Sequence, residues 1–337
     1  MTGNPPATGQ MTYGSDGRAG SEDIDSVSKW LVLTRAAVTP MTLISAAIGG
    51  LLAVGHADTN WLWFALATIG LLGAHAANNL MNDLYDTDVG LDTDNYPRAM
   101  YAPHPVVSGW ISRRGLAAAA LGVNLGCLAI MIVLFWARGW PILAFALGGF
   151  LLSFFYTAPP LRLKRIGLGE VDVFVVWGPL MVGGTFYATT GTIGWDVIAA
   201  SLPWSLLTTT VLMGKHIDKI PWDGPKRIHT LPVLLGEALS RKLTQAMIVI
   251  FYLSLIPLAA VGYLPWFTLL TVLALPRAVM VLKQFSSPKP DSPPERFPPI
   301  WPLWFAPLAF YHLRRAGSLF VLGLIAGVVL QQTLGWG

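Results

Sequence analysis

The sequence predicts an all-α, polytopic membrane protein with about nine transmembrane helices. Three observations carry this. The 337-residue chain is 54% hydrophobic and only 12% charged, far from the composition of a soluble domain. Its apolar residues come in repeated runs near the ~20 residues that cross a bilayer as helix, without the two-residue alternation of a membrane barrel. Its basic residues gather on one side of those runs.

Residues 1–28 are rich in Gly, Ser, Thr, Pro and Asp and read as a disordered tail before a transmembrane domain over 29–337. They lack a basic-then-apolar signal pattern, so the first span is expected to act as the insertion signal. The apolar runs fall at 36–55, 61–82, 115–137, 140–157, 169–190, 194–214, 243–262, 264–282 and 317–335. The stretch 285–299 is Pro-rich and reads as a surface loop. Of the 22 Lys and Arg, Arg138 is the one that falls in a loop on the opposite side. The positive-inside rule then places the N-terminus and the loops after the second, fourth, sixth and eighth runs in the cytoplasm, with the chain multi-pass in the cell's inner (plasma) membrane. The net charge of +4 is thus a topology signal, and no nucleic-acid motif accompanies it. A single Cys127 excludes an intrachain disulfide or a Cys-based metal site.

The most informative segment follows the second run: Asn82-Asp83-Leu84-Tyr85-Asp86-Thr87-Asp88-Val89-Gly90-Leu91-Asp92-Thr93-Asp94. A carboxylate beside hydrocarbon costs several kcal/mol unless it is paired or binds a cation. Carboxylates and an Asn amide are hard oxygen ligands of the type Mg²⁺ uses between protein and phosphate. Asn79, Asn82 or Asp83, and Asp86 can share one helix face. Gly90 then lets the chain turn so that Asp92 approaches Asp86. A solvated acidic loop is the alternative, disfavoured because Asn and Asp begin inside the apolar span.

Asp218 and Asp223 repeat the theme after the sixth run. Their spacing of five does not stack on a helix, and Pro221 is expected to break any helix there, so the two must converge through an irregular end. Between these segments, Arg162, Lys164 and Arg165 follow the stiff pair Pro159-Pro160. They read either as membrane anchors or as cations for a diphosphate. Tyr156 reads as a phosphate donor or an interfacial tyrosine. Arg98, Lys226 and Arg227 are further phosphate candidates. Glu170 and Asp172 suit a helix start, with Glu170 also a substrate candidate, and His216 is placed to approach the site. His75 reads as a satisfied buried histidine. No P-loop, dinucleotide fingerprint or hydrolase elbow is present.

Together these segments resemble the UbiA superfamily of intramembrane prenyltransferases. Asn82-Asp83-Leu84-Tyr85-Asp86 with Gly90-Leu91-Asp92-Thr93 resembles its first Asp-rich motif, in the form of the menaquinone branch whose acceptor is dihydroxynaphthoate. Tyr156 to Glu170 resembles the central Tyr–Lys segment. Asp218 to Asp223 with Lys226-Arg227 and Thr230-Leu231-Pro232-Val233 resembles the second motif. The chain departs in spacing that pair by five rather than four, and in having Gly214-Lys215-His216 where the branch carries Asn. The resemblance implies nine helices around a central cavity under a cytoplasmic cap. It implies Mg²⁺ held by Asn82, Asp86, Asp92, Asp218 and Asp223, with Lys164, Arg162 and Tyr156 at the departing diphosphate. Asn82, Asp83, Arg98, Glu170, His216, Lys226 and Arg227 would bind substrate. The implied reaction transfers a polyprenyl group from an allylic diphosphate to an aromatic acceptor within the membrane lipid. The alternatives are a terpene cyclase or elongase of the same fold. A transporter is disfavoured, because the charges gather at one face rather than at the midplane.

Overall fold

The computed structural model describes residues 25–88, 97, 104–295, 298 and 300–334. Asp92 and Arg98 lie outside these residues, and Asp86 is described in its backbone alone. The chain is a multi-pass helical membrane protein. Eight of its described helices are long and apolar enough to cross a bilayer, or nine if one bent pair counts as a span.

Local chemistry sets most of the boundaries. Helix α1 (Ser26–Leu33) starts inside the stretch read as tail, because the Asp25 carboxylate accepts from the N–H groups of Val27 and Ser28. A short turn and a 59° bend lead to α2 (Thr39–Leu52). Asn60 caps α3 (Trp61–Asp88) by accepting from Leu62 and Trp63 N–H, and Ser112 caps α4 (Arg113–Arg138). Gly139 at φ 82° makes the tight link to α5 (Trp140–Thr157), a backbone angle that suits glycine. The next span is broken: α6 (Gly169–Val175), a π-helical turn Val176–Leu180 holding Pro179, then α7 (Met181–Thr190). The chain continues through α8 (Trp195–Asp223), α9 (Leu231–Leu235) and α10 (Glu237–Ala260). A 3₁₀ stretch Trp266–Ala274 then runs into α11 (Leu275–Phe285), and α12 (Phe305–Leu334) ends the bundle.

Two expectations are corrected. Helix α8 runs through Pro221 to Asp223 instead of breaking. Proline inside a helix costs ~3 kcal/mol, but here tertiary contacts hold the last turn: Asp218 bonds α12, and the Lys289 ammonium lies 5.7 Å from the Trp222 ring. Helix α12 starts at Phe305, well before 317; the described residues from 286 to 298 are mostly exposed, as read for a surface loop, and the chain turns inward only after them. Lys289 bonds the Pro302 carbonyl, and Ile300 and Leu303 face the interior of the bundle.

A large buried apolar cluster lies among α2, α8, α10 and α12, around the fully buried Trp204, Leu207, Phe251 and Phe320. Several polar groups in this core are satisfied locally. Thr208, Thr209 and Thr210 each donate to a carbonyl three or four residues back. Trp204 Nε1 donates to Ser45 Oγ at 2.7 Å, and Ser45 donates to the Trp177 carbonyl at 2.9 Å, tying α8 and α2 to the π turn. A methyl at Gly178 would lie 1.8 Å from Ser205 Oγ, so glycine there lets the π turn sit against α8.

The helices surround a central cavity of about 1310 Å³ that is partly open at its side, where the lining residues Leu125, Leu128 and Leu147 are exposed. We call the end of the bundle that carries the C-termini of α3, α5, α8 and α11 the site face. At the opposite, far face, the Arg138 guanidinium donates to the carbonyls of Asp58, Ala188 and Thr189 and locks that end.

Candidate active site

At the site face four helices bring polar side chains to the cavity wall. On α3 these are Asn78, Asn79 and Asn82, at the three- and four-residue spacing of one helix face. Asn79 donates to the Thr34 carbonyl at 3.0 Å. Asn78 Oδ1 and Asn82 Oδ1 are buried and accept no hydrogen bond. On α8 Lys215 lines the cavity, and on α5 and α6 Tyr156 and Asp172 do. Deeper in, the same spans offer Ala67, Leu71 and Ala74, then Leu212, Val211 and Thr208, then Val173 with Val176 and Leu180 of the π turn. The cavity is therefore polar at one end and mostly apolar along its length. From Asn82 to Ala67 it follows α3 for roughly 22 Å at the helical rise.

The bend before α2 adds a cation. Arg35 sits at φ 54°, a left-handed angle that ends α1 and turns its guanidinium to the cavity wall. There it pairs with the buried Asp83 carboxylate. Asp83 thus serves Arg35, while Asn82 faces the cavity.

After α5, Arg162 also takes a left-handed angle (φ 48°) and opens a single 3₁₀ turn, Leu163–Arg165. That turn buries Lys164 to 5% exposure while Arg162 stays half-buried. Gly169 packs here: a methyl on it would lie 3.2 Å from both Lys164 Cα and the Tyr156 ring. Tyr156 and Lys164 therefore share one shelf beside Gly169, and Tyr156 lines the cavity's polar end. The loop is braced from α9's side, where His229 N–H donates to the Arg165 carbonyl at 3.2 Å.

Residues 42–313 of this chain match the UbiA prenyltransferase family. The chain belongs to that family. It is 29% identical over 253 residues to a 2-carboxy-1,4-naphthoquinone phytyltransferase of Synechocystis sp., covering 73% of this chain and 77% of that one. It is 25% identical over 261 residues to a 1,4-dihydroxy-2-naphthoate octaprenyltransferase of Bacillus subtilis, covering 75% and 80%. Among solved structures, a UbiA homologue from Archaeoglobus fulgidus bound to GPP and Mg²⁺ superposes with a TM-score of 0.60 at 18% identity, over 87% of this chain and 99% of that one. The apo structure of a UbiA homologue from Aeropyrum pernix K1 gives 0.62 at 18% identity, over 88% and 98%. At these identities the two structures establish the fold. As a UbiA-family member the chain is a prenyltransferase.

The second motif of this UbiA-family chain differs from the sequence expectation. Asp218 and Asp223 lie on one helix, about 140° apart around its axis. They do not converge. Both Asp218 oxygens accept backbone N–H bonds, from Trp304 at 2.8 Å, Phe305 at 3.0 Å and Ala306 at 3.0 Å, so Asp218 caps α12. Four residues before Asp223, where the family spacing expects a carboxylate, stands Lys219, its Nζ 3.8 Å from Asp223 Oδ1. Both are buried. Glu170 and His216 are likewise held by each other, Oε1 to Nδ1 at 2.7 Å, which fastens α6 to α8. Lys226 and Arg227 stay exposed on the site-face surface beyond α8. His75 meets Thr42 Oγ1 at 2.5 Å, the satisfied state expected of it.

Among the described residues no three His, Cys, Asp or Glu cluster as a metal site. The available donors still suit a hard cation. Asn82 Oδ1 has no partner, stands four residues before Asp86, and faces the cavity. Sequence reasoning passed over Arg35, Asn78 and Lys215 as site residues, and treated Asp172 as a helix-start acid only. Asn78 and Asp172 carried the same signal as Asn82, a polar group inside an apolar run. Arg35 and Lys215 carried none beyond their charge.

Proposed function

We propose that the chain transfers a polyprenyl group from an allylic diphosphate to a hydroxylated naphthoate, in a Mg²⁺-dependent reaction at the cytoplasmic face of the plasma membrane. The observation that carries this reading is the cavity: unsatisfied oxygens and the half-buried cations Arg35 and Lys215 at one end, mostly apolar walls over the rest. The diphosphate fits the polar end and the prenyl tail the apolar length. The names of the relatives supply the acceptor class.

In this reading Asn82, Asp86, Asp92 and Asp223 hold the metal, and Asp218 leaves the set because it caps α12. Bound Mg²⁺ supplies charge neutralisation for the diphosphate. Lys164, Arg162 and the Tyr156 hydroxyl receive charge on the leaving group. Arg98, Lys226 and Arg227 draw the diphosphate to the site face. Arg35 suits the acceptor carboxylate. Glu170 and His216 keep α6 and α8 in register. The mostly apolar wall keeps water from the allylic cation while the ring carbon attacks.

The test is product analysis. Purified chain is given Mg²⁺, prenyl diphosphates of several lengths and a panel of aromatic acids, and products are read by mass spectrometry. The reading expects a prenylated hydroxynaphthoate. Hydrocarbon or alcohol made from diphosphate alone would establish a cyclase, and prenylation of a benzoate alone would move the acceptor class.

A further inference from the structure

Asp172 is the carboxylate at this end whose burial the fold does not explain. It lines the cavity at 7% exposure, and its Oδ1 accepts no hydrogen bond. The neighbouring acids have protein partners: Glu170 has His216, Asp83 has Arg35, Asp223 has Lys219, and Asp218 has the start of α12. Asp172 makes no ion pair and no side-chain hydrogen bond among the described residues. Such a group inside a membrane protein is costly and marks a function. What relieves it must enter the cavity and bring a hydrogen-bond donor or a cation.

Its place decides between these. Asp172 stands one turn along α6 from Gly169, which touches the Lys164–Tyr156 shelf. The next cavity residues on the same span are Val173, Val176 and Trp177. Asp172 thus sits where the polar end gives way to an apolar and aromatic wall. That setting suits the edge of a flat ring bearing a hydroxyl. Mg²⁺ keeps several waters and prefers grouped oxygens.

We propose that Asp172 is a catalytic residue that holds a ring hydroxyl of the acceptor and takes its proton as the ring attacks; this rests on the proposed transfer to a hydroxylated acceptor. The O–H bond breaks and its proton goes to Asp172. The O–H electron pair becomes the π bond of a ring carbonyl, and a ring C=C pair forms the new bond to the allylic carbon. The allylic C–O pair departs with diphosphate. The attacked ring carbon then loses its proton to a diphosphate oxygen or, where it bears the carboxylate, loses that group as CO2; the electron pair of the broken bond restores the aromatic ring, and Asp172 returns its proton to the ring oxygen.

The experiment compares wild type, Asp172→Asn and Asp172→Glu in nanodiscs with dihydroxynaphthoate, and measures binding of a non-ionising prenyl thiolodiphosphate with Mg²⁺. Asp172→Asn is expected to lose ~10²-fold or more in acceptor kcat/KM, to lose the acidic limb of the pH profile, and to bind the analogue as wild type does. Asp172→Glu is expected to recover part of the rate. With a methyl ether in place of the acceptor hydroxyl, wild type should fall to the level of the Asn variant, and the variant should fall no further. Wild-type kcat/KM in Asp172→Asn would overturn the proposal alone. Lost analogue binding would make Asp172 a metal ligand or a structural residue, and would overturn it too. A wild-type chain that prenylates no hydroxylated acceptor would remove the parent reading and this one with it.

Discussion

Lys164 is the residue whose burial most clearly separates function from anchoring. A membrane-anchoring lysine extends its ammonium to water, whereas Lys164 is buried beside Tyr156 and Gly169. Lys164→Ala is expected to slow single-turnover prenyl transfer ~10²–10³-fold, the usual effect of removing one preorganised charge donor. Lys164→Arg should keep part of the rate, since charge stays and donor geometry changes. Wild-type turnover in the alanine variant would return Lys164 to the anchor role. The two aspartates of α8 make a second contrast. Asp218→Ala should destabilise the protein by about 2 kcal/mol through loss of the α12 cap, seen as a lower Tm in detergent, while the apparent Mg²⁺ affinity of the remaining activity is unchanged. Asp223→Ala should abolish Mg²⁺-dependent turnover. Equal loss of metal affinity in both variants would restore the convergent pair. In sequence the two acids look alike. What distinguishes them is a backbone turn at Trp304–Ala306, far along the chain, and no local pattern announces such a partner.

At the scale of elements, the apolar runs were legible because hydropathy and helix length are both set by the bilayer. The run 140–157 coincides with α5, and 169–190 with the broken span α6–α7. The misses have physical causes. The start of α12 carries His312, Arg314 and Arg315, which mask its helical character, and its cap comes from another helix. Within the bundle His312 bonds Tyr252 at 2.8 Å, so polarity there is compatible with burial. Pro221 was read as a break because proline removes a helix hydrogen bond, and its neighbours' tertiary contacts override that cost. Close approach of backbones was also invisible, since it depends on which glycine meets which helix. Gly178→Ala tests it directly: overpacking against Ser205 is expected to cost about 1–3 kcal/mol, measured as a lowered Tm. An unchanged Tm would show that the π turn yields without strain.

For the whole molecule, the sorting of basic residues predicts which end faces the cytoplasm. In a chain whose Cys127 has been replaced, cysteines introduced beside Lys226 and Lys164 should label from the cytoplasmic side only, and one beside Arg138 from the outside. Labelling of the first two from outside intact cells would invert the topology. The site face was legible in sequence as three polar segments that follow apolar runs. The cavity between them was not, because its walls are ordinary Leu, Ala and Val whose common face exists only once the helices pack. The central claim is that this one cavity couples a metal-held diphosphate to an aromatic acceptor. The most direct test is the mass of the product made by purified chain in nanodiscs from a prenyl diphosphate and dihydroxynaphthoate, across a Mg²⁺ titration and in chelator. The account predicts acceptor carrying the prenyl group, formed with Mg²⁺ and absent in chelator. Prenylated acceptor at full rate in chelator, or diphosphate consumed with the acceptor untouched, would contradict it.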